Sequence, residues 1–295
     1  MIAICEGNNV HILNSDYEVI KTIISERSIS NVSLSHDESK VAFQYFVKVD
    51  GELVSQVKIQ NIQTDECIFT MNFKVGNNYI CFTSDNSRLL VASNREIFII
   101  DILTKDIILY LDVFNFNQFV SFNKDETKLL MLFQSSEIIV IDSSLGIELL
   151  RIKTGGDFVS CSFNSDGSKI LACVGNCIKI FDSITGEELS SSEYEHNTVE
   201  AWFNPDDSVI LCSTMFDEVI LKDSLTFEQI NLLECYGNEE ISNLCFNLER
   251  NHFLFFIGQT LKVFDIITFE EIESLNFENE LISISVCSQK FGSYI

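Results

Sequence analysis

Two sets of anchor residues recur along this chain with one shared period, and that period bounds the fold more tightly than anything else in the sequence. Aligning on the residue before a polar turn gives CFTSDNSR (81–88), SFNKDETK (121–128), SFNSDGSK (162–169) and WFNPDDSV (202–209). Weaker copies are SLSHDESK (33–40), CFNLERNH (245–252) and VCSQKFGS (286–293). The anchors Leu34, Phe82, Phe122, Phe163, Phe203, Phe246 and Cys287 are spaced by 48, 40, 41, 40, 43 and 41 residues. A second set, Asn14, Asn61, Asp101, Asp142, Asp182, Asp223 and Asp265, is spaced by 47, 40, 41, 40, 41 and 42. Two independent anchors with one period mark a repeat protein.

Each unit reads as four short strands. Apolar residues alternate at Val159, Cys161 and Phe163, the period of a strand. An Asp-containing turn follows, because Asp and Asn bond their own backbone locally. A short apolar strand such as ILAC comes next, then a tight connection with Gly7, Asn94, Gly175 or Gly258 where a hairpin demands positive φ. The third strand, as in IKIFD, ends at the Asp anchor, and a D-x-x-T turn leads into the fourth (Asp101–Thr104, Asp182–Thr185, Asp223–Thr226, Asp265–Thr268). Four antiparallel strands in ~40–45 residues are the signature of a propeller blade, and helical caps and 3.6-residue periodicity are missing throughout.

The expected architecture is therefore all-β: one seven-bladed β-propeller over residues 1–295, with four antiparallel strands per blade. Six units are complete, at 29–72, 75–113, 117–154, 155–194, 196–237 and 239–279. The chain starts inside a unit and ends with LISISV (281–286), a first strand without a blade. Residues 1–24 together with 280–295 then make blade 1, so that the C-terminal strand closes the ring and leaves no large open edge.

The F-[NST]-x-D turn, the Asp ending the third strand and the T-G turn best kept in FDSITGEEL resemble the repeats of the WD-repeat propeller family over essentially the whole chain. The Trp usual before that Asp is replaced by Ile100, Ile141, Phe181, Lys222 and Phe264, and the opening Gly-His pair is absent. The buried His–Asp network that the family implies is then mostly lacking, which leaves apolar packing to hold the blades. The resemblance also implies a non-enzymatic interaction scaffold that needs no cofactor.

Composition narrows the classes. Hydrophobic residues make up 46% of 295 residues, and apolar runs such as Phe253 to Ile257 are too short to span a bilayer. MIAICEGNNVHIL lacks the basic and long apolar regions of a secretory signal. Ten cysteines are too sparse for a disulfide scaffold and several sit in apolar runs, which suggests reduced, mostly buried thiols and a cytoplasmic location, the nucleus left open. Cys173 and Cys177 are the one close pair, and no second pair completes a metal site. A net charge of −25, from 44 acidic and 19 basic residues, repels nucleic acid and anionic membrane and attracts basic proteins or peptides.

Catalytic signatures are missing from the linear sequence. His11, His36, His196 and His252 show no ligand spacing, and G-x-S-x-G, phosphate loops and H-E-x-x-H are absent, so no catalytic or metal residue is expected. A propeller enzyme with a central-channel site is the alternative reading. The turns between strands one and two (Asp37, Asp85, Asp125, Asp166, Asp206, Glu249) and between three and four (Glu66, Asp106, Glu148, Glu187, Glu270) share one face, which should be strongly acidic. That face is a solvated rim or a docking surface for a basic partner. The opposite face gathers Phe114, Phe116, Tyr194, His196, Met215, Phe216 and Tyr236. Beside them stands a hairpin lengthened by seven residues that carries Phe46 and turns at Asp50-Gly51. Phe46, Phe114, Phe116, Tyr194, His196, Phe216 and Tyr236 are accordingly the expected contact residues for a protein or peptide partner.

Overall fold

The computed structural model describes residues 1–295 except 75, 77–78, 94, 114–115, 134–136, 157, 195–196, 216–217, 236–240, 248–249 and 287–295; for 116–119 and 158–159 it describes the backbone alone. The anchor Cys287 and Asn94 therefore lie outside the described residues. The chain forms seven four-stranded antiparallel sheets. Blade 1 joins Leu281–Val286 to Ile2–Glu6, Asn9–Leu13 and Val19–Ile24, with Ile2 opposite Val286 and Ile4 opposite Ile284. The inner strands of blades 2 to 7 are Ile29–Leu34, Tyr79–Phe82, Phe116–Phe122, Phe158–Phe163, Thr198–Phe203 and Ile241–Asn247. Inner strands of successive blades touch, and the ring is that of a seven-bladed β-propeller closed by its C-terminal strand.

Burial follows from this arrangement. Each sheet lies between two others, so second and third strands are apolar on both faces, as in Leu129–Leu132 and Phe253–Phe256. Those side chains interdigitate with the next blade, and Trp202, Phe163, Phe253 and Phe255 fall in one core cluster that spans blades 4 to 7. The hairpin of blade 2 extends as ten-residue strands Lys40–Val49 and Glu52–Asn61, turning at Asp50 and Gly51 with φ of 52° and 87°. Gly7, Gly175 and Gly258 take φ of 55°, 59° and 54° in the short connections.

The repeat motifs prove to be turn-building devices. At the end of each third strand the anchor carboxylate or amide accepts backbone N–H bonds: Asp182 Oδ1 from Ile184 and Thr185 at 2.9 and 2.7 Å, Asp265 Oδ1 from Ile267 and Thr268 at 2.8 Å each, Asn61 Oδ1 from Gln63 and Thr64 at 2.9 Å each. The amides of Thr104, Thr185, Thr226 and Thr268 hold the carboxyls of Asp101, Asp182, Asp223 and Asp265 below the usual range. In the first turn Asn164 Oδ1 accepts from Lys169 N at 2.8 Å and Asp166 Oδ1 from Ser168 N at 2.8 Å, and Thr83 with Asp85 repeats the pattern. These are local side-chain bonds that compete with continued strand and fix a turn.

Every outer strand carries a β-bulge at the same place. Pairing slips by one residue between Ile12/Leu13, Ile59/Gln60, Ile99/Ile100, Val140/Ile141, Ile180/Phe181, Leu221/Lys222 and Val263/Phe264. The extra residue is Ile20, Ile68, Ile108, Leu149, Leu189, Ile230 or Ile272, an aliphatic in all seven blades. A bulge twists an edge strand and spoils it as a template for another chain.

Polar bonds supplement the apolar packing between blades, more than the sequence suggests. Along the inner strands, Ser283 and Ser285 accept from Val32 N and Leu34 N at 3.4 and 3.0 Å. Ser33 accepts from Phe82 N at 3.3 Å, Ser160 from Ala201 N at 3.3 Å, and Glu200 from Leu244 N at 2.8 Å. On the acidic face a first-turn residue with positive φ reaches back one blade: Asn86 Oδ1 accepts from His36 N at 2.7 Å and Glu126 Oε1 from Ser84 N at 2.5 Å. Asp207 accepts from Ser165 N, Ser165 Oγ and Asn164 Nδ2 at 2.8, 2.7 and 3.0 Å.

Candidate functional site

The channel offers little chemistry. Across the seven inner-strand segments Glu200 is the one charged residue and histidine is absent. Glu200 is fully buried and committed to the Leu244 amide of the next blade. The neighbouring thiols are held protonated: burial pushes Cys173 to about 11 and Cys212 to about 12. Among the described residues no group of three His, Cys, Asp or Glu could hold a metal ion.

Of the seven residues expected to bind a partner, three fall among the described residues. Phe114, His196, Phe216 and Tyr236 lie outside the described residues. Phe116 belongs to the inner strand of blade 4, opposite Phe133, and not to a loop. Phe46 is half-buried on the long hairpin opposite Ser55. Tyr194 folds back onto blade 6: the Lys222 ammonium lies 4.2 Å from its ring centre, and its hydroxyl is 3.6 Å from Cys212 Sγ. Its ring is used for inter-blade packing, consistent with its place against the core of blades 5 and 6.

A constellation the linear scan missed stands where blades 7 and 1 meet. The two-residue Gly7-Asn8 turn sets Glu6 opposite Asn9 and Ile4 opposite His11, while His11 lies directly opposite Thr22 on the outer strand. Glu6, His11 and Thr22 thus share one face of blade 1, Glu6 one diagonal step from His11. His11 Nε2 is 2.7 Å from Glu6 Oε2, and its Nδ1 is 3.0 Å from Thr22 Oγ1. Glu6 is buried, Thr22 exposed, and the Phe277 ring lies 5.3 Å from the imidazole. Asn279, in the loop from blade 7, donates its backbone N–H to Glu6 Oε1 at 2.6 Å and its side-chain amide at 3.3 Å.

Protonation follows from these partners. Burial of Glu6 works against its charged form, but the bonds from His11 and Asn279 outweigh it and hold the carboxyl below its usual range. An ionised carboxylate only accepts, so His11 donates from Nε2. The other ring nitrogen, Nδ1, then faces the Thr22 hydroxyl. Hydroxyl, imidazole and carboxylate thus stand in line, the order that a nucleophile with an oriented base requires. The signal was readable in the sequence in part: the tight Gly7-Asn8 turn fixes the register that sets Glu6 one diagonal step from His11, and the Asn14 turn fixes the one that pairs His11 with Thr22.

No family model matches the chain, and no curated protein matches it. Solved structures do: 1682 chains match, which marks a widely used architecture. One is described as dihydro-heme d1 dehydrogenase NirN in complex with DHE, with 15% identity and a TM-score of 0.71 over 99% of this chain and 76% of that one. That neighbour is described as an enzyme on a fold shared across nearly all of this chain, so the expectation of a non-enzymatic interaction scaffold is not carried by the propeller fold and is corrected here. At this identity the likeness carries the fold; the dehydrogenase activity and the DHE complex belong to that protein.

Proposed function

We propose that this chain is a propeller enzyme of the acyl-transfer or ester-hydrolysis class, with its site at the junction of blades 7 and 1. The observation that carries the reading is the Thr22–His11–Glu6 relay, with contacts of 3.0 and 2.7 Å. Thr22 Oγ1 would attack a substrate carbonyl carbon while His11 Nδ1 takes the hydroxyl proton. Glu6 orients the ring and stabilises the imidazolium that forms. His11 then returns the proton to the leaving group, and water, activated by the same base, hydrolyses the acyl-threonine. The ring nitrogens exchange the roles they have in serine proteases, since here Nδ1 serves the nucleophile. We also infer that the repeats are divergent WD-type units, supported by the turn devices at Asp166 and Asp182, and that the chain is cytoplasmic, supported by the burial of Cys5, Cys161, Cys173, Cys212 and Cys245.

The test is hydrolysis of a panel of p-nitrophenyl esters by the wild type, Thr22→Ala, Thr22→Ser and His11→Ala. Removing the base should lower kcat/KM by about 10²–10⁴. Thr22→Ser should retain turnover and Thr22→Ala should not. Equal activity in all four proteins, with unchanged melting curves, would remove the relay as the site.

A further inference from the structure

Beyond the relay, the outer rim of the acidic face breaks the ordinary surface pattern. Leu103, Leu145, Ile184, Leu225 and Ile267 sit at the tips of the turns between third and fourth strands in blades 3 to 7, between 68% and 89% exposed. Single exposed aliphatics are common. Five at the same turn of consecutive blades are a built feature, because nothing in the turn requires them: its hydrogen bonds come from the anchor Asp, the Thr or Ser hydroxyl beside it and the backbone. A few residues further on, the bulge aliphatics form a second row, each 41–54% exposed except the half-buried Ile68. Turn tip and bulge thus give each of blades 3 to 7 two exposed aliphatics on a face whose intervening turns hold carboxylates.

We propose that this rim docks a basic amphipathic polypeptide segment, whose aliphatic side chains meet the turn tips while its Lys or Arg side chains meet the carboxylates between them. Charge selects the occupant. A second copy of this chain would set carboxylates against carboxylates on a protein of net charge −25, and an anionic bilayer is repelled for the same reason. A purely apolar partner would bury the rim carboxylates unpaired, at a cost its aliphatic contacts do not recover. A cationic amphipathic surface satisfies both chemistries. The five turn tips stand at the opposite strand ends from the Gly7-Asn8 turn and none belongs to blade 1, so the proposal does not depend on the relay.

The probe is a synthetic amphipathic helix of leucine and lysine, titrated against the full chain at physiological salt. It is compared with a variant carrying Ser at Leu103, Leu145, Ile184, Leu225 and Ile267. These tips are exposed, so the variant should melt like the wild type, and its net charge is unchanged. The expected result is binding at least about tenfold weaker in the variant, and none for the same helix with glutamate in place of lysine. Equal affinity in both proteins would reduce the effect to bulk charge and overturn the proposal. So would self-association at high salt, or adsorption to phosphatidylcholine vesicles, if the variant loses it: the rim would then serve a second copy or a bilayer.

Discussion

The Tyr17 hydroxyl lies 2.7 Å from Nδ1 of His252, tying residues 235 positions apart. Asn247 Nδ2 donates to the same hydroxyl at 3.2 Å, which leaves the phenol proton for the Nδ1 lone pair of an unprotonated His252. Tyr17 stands in the last turn of blade 1, and His252 opens the second strand of blade 7, with Arg250 paired to Asp16 at 2.9 Å beside them. The contact is a clasp on the ring at the blade that holds the closing strand.

The clasp gives stability a pH dependence on both sides. Burial holds His252 below the ordinary histidine value of 6.5. Below that pH the unfolded chain takes up a proton that the folded clasp refuses, so this contribution is complete above about 6.5 and is lost as the pH falls through the folded value. Burial also pushes Tyr17 up to about 12, so its contribution is complete below pH 10 and is lost as the pH rises towards 12. Melting temperatures measured from pH 5 to 12 should fall at both ends. Tyr17→Phe should flatten part of the alkaline fall and cost about 1–3 kcal/mol near pH 8, because Asn247 and His252 lose their shared partner. An unchanged profile in the variant would exclude the clasp.

Adjacent carboxylates on the acidic face should differ sharply. Asp206 caps its own turn through Ser208 N at 2.9 Å, while Asp207 holds blade 5 through three bonds. Asp207→Ala should cost about 1.5–3 kcal/mol in urea unfolding, with Asp206→Ala nearer ~1 kcal/mol. The reverse order would mean that the inter-blade bonds contribute nothing beyond local turn formation.

The turn after each third strand ends in a left-handed residue, and only some blades use glycine there. Gly186 has φ of 74°, and an added Cβ would lie 3.1 Å from Leu150 Cδ1 and 3.2 Å from Ile152 Cγ1 of blade 4. Lys105 takes the same conformation with φ of 64° and is exposed. Gly186→Ala should destabilise by about 1–3 kcal/mol. Lys105→Gly should stabilise by about 0.5–1 kcal/mol, the left-handed penalty less the entropy glycine adds to the unfolded chain. Thermal melts of both variants decide the signs.

Much of the ring was legible because each blade repeats the same local physics. The period, the strand-ending Asp and the positive-φ glycines are set by neighbours in sequence, and the strand LISISV announced its own missing partners. Other features depend on contacts about one repeat away, where no local pattern points. Asp207 looks like its neighbour Asp206 until the adjacent blade is in place. Tyr194 reads as a loop aromatic, and its ring is spent on Lys222. The bulges leave no mark on the alternation, since an aliphatic residue there is as plausible for a buried strand as for a displaced one. His11 was visible, but its neighbours depend on two registers, set by the Gly7-Asn8 turn for Glu6 and by the Asn14 turn for Thr22.

The pairing of Ile2–Glu6 with Leu281–Val286 also sets a clock on biosynthesis. At roughly 5–20 residues per second a ribosome needs on the order of 15–55 s to travel from one strand to the other. Through that interval the nascent first sheet presents an unpaired, apolar edge, and six blades stack in order with no ring to hold them. Ring closure is then a contact between the first and last strands of the propeller to be made, so conditions that shorten translation pauses or shield that edge should raise the yield of closed molecules.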